Sequence, residues 1–288
     1  MRIGIITDSR AQNGYGRYGA DTYKKVAEHG YYGTDFNLCN TETAPYTLSR
    51  EDAEAFLLRE REMARAAGVT IWQVHGPWRF PPQDFTPEDR AERMEKMKWA
   101  LWACSVLECK NYVIHPLMPY GMDDLGGEYE KETWNINLAF MRELVAEAKK
   151  YGITVCLENM PMTRFSIATP EAILRLVKAI DEENFRICLD TGHVAVYQKN
   201  LDLAGETRRL GKYIRVLHVH DNFLGRDMHL APYSGIIDWP SFAEALKDIG
   251  FDGVFSLECG APGKLSDALF EKAARLYADI AADIVRDL

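Results

Sequence analysis

No run of 18 apolar residues occurs in this chain, so no segment reads as a membrane-spanning helix. The opening residues, MRIGIITDSR, turn polar too soon for a secretory signal. No CxxC pair joins any of the six cysteines, Cys39, Cys104, Cys109, Cys156, Cys188 and Cys259. These absences predict a reduced, cytoplasmic protein. No Ser/Gly-rich linker, low-complexity tract or charge block divides the sequence, which predicts one domain over residues 1–288. Positive charge is short as well. The 34 Lys and Arg against 43 Asp and Glu leave a net charge of −9. That argues against nucleic acid as a partner, because phosphate backbones recruit basic faces, although bound cations can reverse the field locally.

What is present is an alternation. Short β-branched runs are followed by long amphipathic ones. RIGIIT (2–7), TDFNL (34–38), TIWQVH (70–75), NYVIH (111–115), TVCLE (154–158), RICLD (186–190), IRVLHVH (214–220) and GVFSLE (253–258) read as strands. Helices are expected between them, over about 21–29, 50–67, 87–107, 131–151, 170–180, 202–210, 239–249 and 267–285. Ser49, Thr86-Pro87 and Thr169-Pro170 are start signals, and Gly68 and Gly152 are stops. Strands alternating with helices require parallel pairing with crossovers. Eight units of about 36 residues predict an α/β fold of the closed (β/α)8 TIM-barrel type. An open doubly wound sheet is the alternative architecture.

The strand ends carry the chemistry. Strands three to eight finish on His75, His115, Glu158, Asp190, His220 and Glu258. In a barrel all six meet at the C-terminal face, where active sites are built. The densest stretch is Val216–Asp238, which holds three of the seven histidines and three aspartates in 23 residues. His193 in LDTGH, and Asp227 and His229, add further candidates; of the histidines only His29 lies elsewhere. Alone, a histidine at a strand end is commonly a hydrogen-bonded rim residue. Three imidazoles and three carboxylates together would leave uncompensated charge unless a cation joins them. Nitrogen and oxygen donors suit Mn²⁺ or Zn²⁺ foremost, and Mg²⁺ or Co²⁺ after them. Cys156 and Cys188 share a face with Glu158 and Asp190 one layer deeper and are expected to be packing residues. His218, on the same face as His220 but deeper, is expected to be a satisfied barrel histidine rather than a ligand. Trp78 and Phe80 are candidates for an apolar wall over a ligand, Arg226 for a contact to substrate oxygen, and the loop 116–130 for a lid or an oligomer contact.

The ordered set HGPW, VIHP, CLENM, CLDTGH, LHVHDN, DMHLAPYSGIIDW and FSLE resembles the xylose-isomerase-like TIM-barrel superfamily, over nearly the whole chain. That superfamily holds sugar and sugar-phosphate isomerases and epimerases, dehydratases, and the endonuclease IV class of apurinic-site nucleases. Resemblance to the ketose 3-epimerases implies one metal held by Glu158, Asp190, His220 and Glu258, with Arg226 touching substrate. Resemblance to the nucleases implies extra metal ligands or substrate contacts at His75, His115, His193, Asp227 and His229. The implied activity is a divalent-metal-dependent isomerase or epimerase acting on a sugar, sugar phosphate or cyclitol. Glu158 and Glu258 would move the proton through an enediolate. The alternatives implied are a zinc phosphodiesterase of the endonuclease IV type and a dehydratase. The partner expected is a small carbohydrate, with no membrane and a possible homo-oligomer.

Overall fold

The computed structural model describes residues 1–7, 14–78, 83–197 and 201–288. Among them the strands are β1 (Arg2–Thr7), β2 (Gly33–Asn37), β3 (Thr70–His75), β4 (Asn111–Ile114), β5 (Thr154–Glu158), β6 (Phe185–Asp190), β7 (Ile214–His218), β8 (Asp221–Phe223), β9 (Arg226–Leu230) and β10 (Val254–Leu257). The helices are α1 (Thr22–Glu28), α2 (Arg50–Ala66), α3 (Pro87–Val106), α4 (Glu130–Lys149), α5 (Pro170–Ile180), α6 (Thr191–Tyr197), α7 (Leu203–Leu210), α8 (Trp239–Asp248) and α9 (Asp267–Ile284).

Start signals in the sequence act as caps. The Ser49 hydroxyl accepts from Asp52 N–H and opens α2. Thr86 and Asp89 form a reciprocal capping box at α3, with Pro87 as the first helical residue. Thr169 accepts from Ala172 N–H and opens α5 the same way.

Eight parallel strands run in the order β10-β1-β2-β3-β4-β5-β6-β7. Val219, just past β7, closes the ring. Its N–H donates to Ser256 O at 2.8 Å, and its carbonyl accepts from Glu258 N–H at 2.9 Å. The fold is therefore a single (β/α)8 barrel. GYGRYG has the GxGxxG spacing of a dinucleotide loop, yet it does not mark an open sheet here. It forms a tight 3-10 segment, Gly14–Asp21, that packs on α9. Arg17 stacks over Phe270 at 4.2 Å and donates to Gly263 O at 2.6 Å.

Inside the barrel the side chains lie in layers. Val113, Cys156, Cys188 and Val216 pack together as one fully buried group. Two residues further along the same strands stand His115, Glu158, Asp190 and His218, on the same faces and one layer nearer the mouth. Cys156 and Cys188 are thus packing residues beneath the polar layer.

Two elements depart from the expected plan. Strand β6 runs directly into α6, with no intervening loop. After β7 the chain forms the antiparallel hairpin β8–β9 rather than a loop; its turn is closed by Gly225 at φ 82°.

His29, the histidine outside the strand ends, ties α1 to α9. Its Nδ1 lies 2.6 Å from the Tyr15 hydroxyl and its Nε2 lies 2.9 Å from Glu271 Oε1. Tyr18 donates to Glu271 Oε2 at 2.8 Å. The His29 contact above all, with Tyr18 and against partial burial, lowers the Glu271 carboxyl to about 2. A folded value below the unfolded one gives stabilisation that is present above about 4.5 and lost as pH falls toward about 2. Glu271→Gln should therefore cost on the order of 1 kcal/mol near neutral pH, after allowance for solvent screening, and progressively less in acid. Urea unfolding of both proteins at pH 7 and pH 3 checks this; an equal gap at both pH values contradicts it.

Candidate functional site

The mouth of the barrel holds a cavity of about 530 Å³, within the usual range for a small-molecule site. On one side it is lined by His75, His115, Glu158, His193, Asp227, His229 and Glu258. On the other stand apolar groups, among them Trp78, Met122, Met160, Met162 and Val196. The Trp78 ring meets the His115 ring edge-on at 4.4 Å. Met122 comes from the long loop after β4. That loop is pinned: Asp124 accepts from Ser166 N–H at 2.8 Å and from the Ser166 hydroxyl at 2.9 Å.

Glu158 is the hub. It is 1% exposed, and His115 Nε2 and His218 Nδ1 each lie 3.1 Å from its oxygens. His75 Nε2 and His193 Nδ1 each lie 3.5 Å away. Glu258 faces His218 Nδ1 at 3.3 Å and His220 Nε2 at 3.9 Å. Asp190 Oδ2 lies 3.0 Å from His220 Nε2. Asp227 Oδ2 stands 3.4 Å from both His193 Nε2 and His229 Nε2. No single donor group holds all four of Glu158, Asp190, His220 and Glu258; Asp190, His220 and Glu258 share one, and Glu158 joins Glu258 or Asp190 in neighbouring ones. Those groups are His75, Glu158, His218 and Glu258; Asp190, His220 and Glu258; Glu158, Asp190 and His193; and His193, His220, Asp227 and His229.

His218 lies deeper than His220, as expected: β6 and β7 pair with Asp190 opposite His218, so His218 stands level with Asp190 and His220 one layer nearer solvent. It departs from expectation in not being satisfied, for its Nδ1 has no directed hydrogen bond. Arg226 also departs. Gly225, Asp227 and His229 line the cavity, so strand alternation turns Arg226 outward, where it is exposed. Phe80 lies outside the described residues.

Sequence reasoning missed the residues that orient the donors. Asn159 ties β5 to β6: its side chain accepts from Asp190 N–H at 2.8 Å and donates to Asp190 O at 3.0 Å. Asn222 donates to Asp227 Oδ1 at 3.0 Å and accepts from Met228 N–H at 2.7 Å. His229 is held at φ 47°, a strained value for a side chain of its size. Gly192 gives His220 its space. Asparagine directly after the strand-end carboxylate and glycine between Asp190 and His193 were the available signals.

The imidazoles share one orientation rule. A carbonyl oxygen only accepts, so a ring nitrogen bonded to one carries the proton. His193 Nδ1 bonds Asn159 O at 2.7 Å, His229 Nδ1 bonds Glu258 O at 2.9 Å, and His75 Nδ1 bonds Gly76 O at 3.0 Å. In each ring Nε2 is left to face a carboxylate. Such outer acceptors are the usual means of turning histidine lone pairs toward a metal. His218 Nδ1, His220 Nδ1 and Glu258 Oε2 are buried and have no directed hydrogen bond. Lone pairs facing carboxylate oxygens repel unless a proton or cation lies between them, so the donor set fits a divalent ion.

Electrostatics follow from the same crowding. Burial opposes charge on every group. It wins at His115, which falls to about 4 against the pull of Glu158. It loses at His193, where Asp190 and Asp227 lift the ring to about 10. It loses at His229 too, lifted to about 9 by Asp227 and Glu258. Against burial, His218 and His115 hold Glu158 well below the carboxylate range. Burial first, and then the Glu158 charge, raises Glu258 although His218 opposes it. Two carboxylates in one mouth are thus driven apart.

The sequence pattern of the xylose isomerase-like TIM barrel family matches residues 23–280. An uncharacterized protein of Methanocaldococcus jannaschii is 30% identical over 241 residues, which is 82% of this chain and 77% of that protein. A D-psicose 3-epimerase of Ruminiclostridium cellulolyticum is 29% identical over 45% of this chain and 42% of its own. Among solved structures, a D-tagatose 3-epimerase-like protein superposes with a TM-score of 0.75 at 27% identity, covering 100% of this chain and 99% of that one. The chain belongs to the xylose isomerase-like TIM barrel family.

Proposed function

We propose that the protein is a divalent-metal-dependent isomerase or epimerase acting on a small ketose or cyclitol. The observation that carries this reading is the placement of Glu158 and Glu258. Both line one cavity, and both flank a single imidazole nitrogen, His218 Nδ1. Sugar epimerases among the relatives support the same chemistry.

Glu158, Asp190, His220 and Glu258 would hold the ion, with His218 as a further nitrogen donor between the two glutamates. Bound there, the ion supplies Lewis-acid polarisation of a substrate carbonyl and its neighbouring hydroxyl. The chain's own residues do the rest. One glutamate oxygen takes the proton from the carbon beside the carbonyl, breaking the C–H bond and leaving an enediolate. The other glutamate returns a proton to that carbon from the opposite face, which inverts it. Return on one face to the adjacent carbon gives isomerisation instead. Trp78 and the methionines exclude water and orient the apolar side of the ring, while His193 and His229, tied to main-chain carbonyls, stand ready to bind substrate oxygens.

One measurement tests the proton step. Each of a panel of ketoses and inososes is incubated with the protein, Mn²⁺ or Zn²⁺, and deuterated water. Deuterium should enter carbon next to the carbonyl. If no compound exchanges with either ion, or with Mg²⁺ or Co²⁺, the reading is wrong.

A second reading has one observation behind it. His193, His220, Asp227 and His229 form a donor group of their own. A zinc phosphodiesterase would need that group filled. Elemental analysis separates the two: one ion per chain favours the sugar enzyme, and two or three zinc ions with phosphodiester cleavage favour the alternative.

A further inference from the structure

Below the site, on β2, lies a carboxylate that the proposed chemistry does not use. Asp35 is wholly buried. Its Oδ2 accepts from Gln73 Nε2 at 2.9 Å and lies 2.8 Å from His218 Nε2. Its Oδ1 has no partner. A buried carboxylate with one oxygen unsatisfied is costly, so its retention calls for a return beyond packing.

The other end of His218 supplies that return. A carboxylate oxygen paired with a ring nitrogen makes that nitrogen the donor, so Nε2 carries a proton. Nδ1 then points into the cleft between Glu158 and Glu258, 3.1 Å and 3.3 Å away, with no directed hydrogen bond. The ring stacks on His75 at 5.4 Å and 14°, which limits its rotation. Three other site histidines are oriented by main-chain carbonyls through Nδ1 and present Nε2. His218 is turned the opposite way round and is held by a charged side chain.

We propose that Asp35 is a positioning residue: by accepting the His218 Nε2–H it sets the tautomer and ring orientation that present Nδ1, between Glu158 and Glu258, as a ligand for the divalent ion. This rests on the cation reading of the site. Gln73 completes the arrangement. Its Nε2 donates to the same Asp35 oxygen and also lies 3.3 Å from Leu217 O, so the carboxylate is anchored from β3 toward β7. The negative charge of Asp35 also raises the basicity of the far nitrogen, as carboxylates behind metal-binding imidazoles do.

The test uses the full chain loaded with Zn²⁺. Long-range ¹H–¹⁵N spectra of histidine-labelled protein report which nitrogen of His218 is protonated, with His218→Gln to assign the signal. Nε2 should carry the proton and Nδ1 the metal. A bare Nε2 in the wild-type protein overturns the proposal without recourse to any Asp35 variant. Asp35→Leu removes the acceptor and should weaken Zn²⁺ binding about 10- to 100-fold by chelator competition. Asp35→Asn keeps an oxygen acceptor for Nε2–H and should recover most of that loss. Unchanged affinity in a folded Asp35→Leu protein overturns the role of Asp35 and leaves the cation reading standing. An Asp35→Asn loss as large as that of Asp35→Leu also overturns the tautomer role. A wild-type protein that binds neither Zn²⁺ nor Mn²⁺ overturns the cation reading itself, and the proposal with it. A purely structural Asp35 would lower thermal stability in both variants and leave tautomer and affinity alone.

Discussion

Gly192→Ala should drive His220 out of the site and cut divalent-ion affinity by at least the roughly 10- to 100-fold that loss of an orienting contact costs. A methyl on Gly192 would overlap the His220 ring at Cε1 and Nδ1 and come within 2.7 Å of Nε2. His220 has little room to retreat. It is fully buried, and the His229 ring stacks on it at 4.1 Å and 11°. Its backbone is held as well, by Thr191, whose hydroxyl donates to His220 O at 2.7 Å and lies 3.1 Å from its N–H. Gly192 lies within α6 and is not among the positive-φ residues, so the backbone itself would accept alanine. Two terms therefore compete. Alanine in a helix gains about 1 kcal/mol over glycine. Overpacking against a fixed ring costs about 1–3 kcal/mol. The collision wins, and the protein should lose stability as well as affinity. The double variant isolates the cause. With His220→Ala in place the ring is gone, so adding Gly192→Ala should now stabilise. That reversal of sign is the coupling expected of two residues in contact. A Gly192→Ala protein that binds Zn²⁺ like the wild type would show that His220 moves aside at no cost and is not fixed by its surroundings.

The barrel was legible because its signals are local. Thr86-Pro87 and Thr169-Pro170 are caps that need only neighbouring residues to act. The β-branched runs before Glu158 and Asp190 are buried on both faces, and so read as strands wherever they lie. His75, Glu158 and Asp190, which end β3, β5 and β6, and His115 and Glu258, one residue past β4 and β10, were legible for the same reason: alternation along one strand states which residues share a face. Depth along one strand was legible too, since His218 does lie a layer below His220; depth across strands was not. It depends on register between strands, which the stagger of a barrel sets and no single strand encodes. That His218 stands level with Asp190 follows only from their pairing across β6 and β7. The missing α6 has a different cause. Asp190 ends β6, and its Oδ1 accepts from His193 N–H at 2.6 Å, so a ligand-type carboxylate also caps a helix. A residue serving both elements leaves no loop to announce the change. The hairpin β8–β9 hid behind its polar residues, because Asp221, Asn222, Arg226 and Asp227 read as a loop. Asp221 in fact is buried, accepting from Ile237 N–H at 3.2 Å and Trp239 Nε1 at 3.0 Å. Asp35 was invisible for a further reason: its partner lies 183 residues away.

Glu158→Gln should abolish proton exchange and cost the metal-free protein about 3–5 kcal/mol, the usual penalty for removing one partner from a buried charged pair. The change keeps size and shape, so the effect reports charge. Glu158 is the carboxylate on which His75, His115, His193 and His218 converge. An amide there would turn either a donor NH₂ or a weaker acceptor toward them, and a bound ion would lose an anionic ligand at once. Loss of a positioned acid–base group by itself lowers rates by about 10²–10⁴. Loss of ligation adds to this, so exchange into the best ketose of the panel should fall by at least about 10³. Thermal unfolding and exchange need to be measured on the same preparations. A structural Glu158 would lower stability, while the molecules still folded would exchange at the wild-type rate. Glu158→Asp sharpens the distinction. It keeps the charge but withdraws it by one methylene, so most stability should remain. A displacement of about 1 Å at a reacting group still costs about 10² in rate. Undiminished exchange per folded molecule in Glu158→Gln would remove Glu158 from the chemistry and leave it only the task of balancing the surrounding imidazoles.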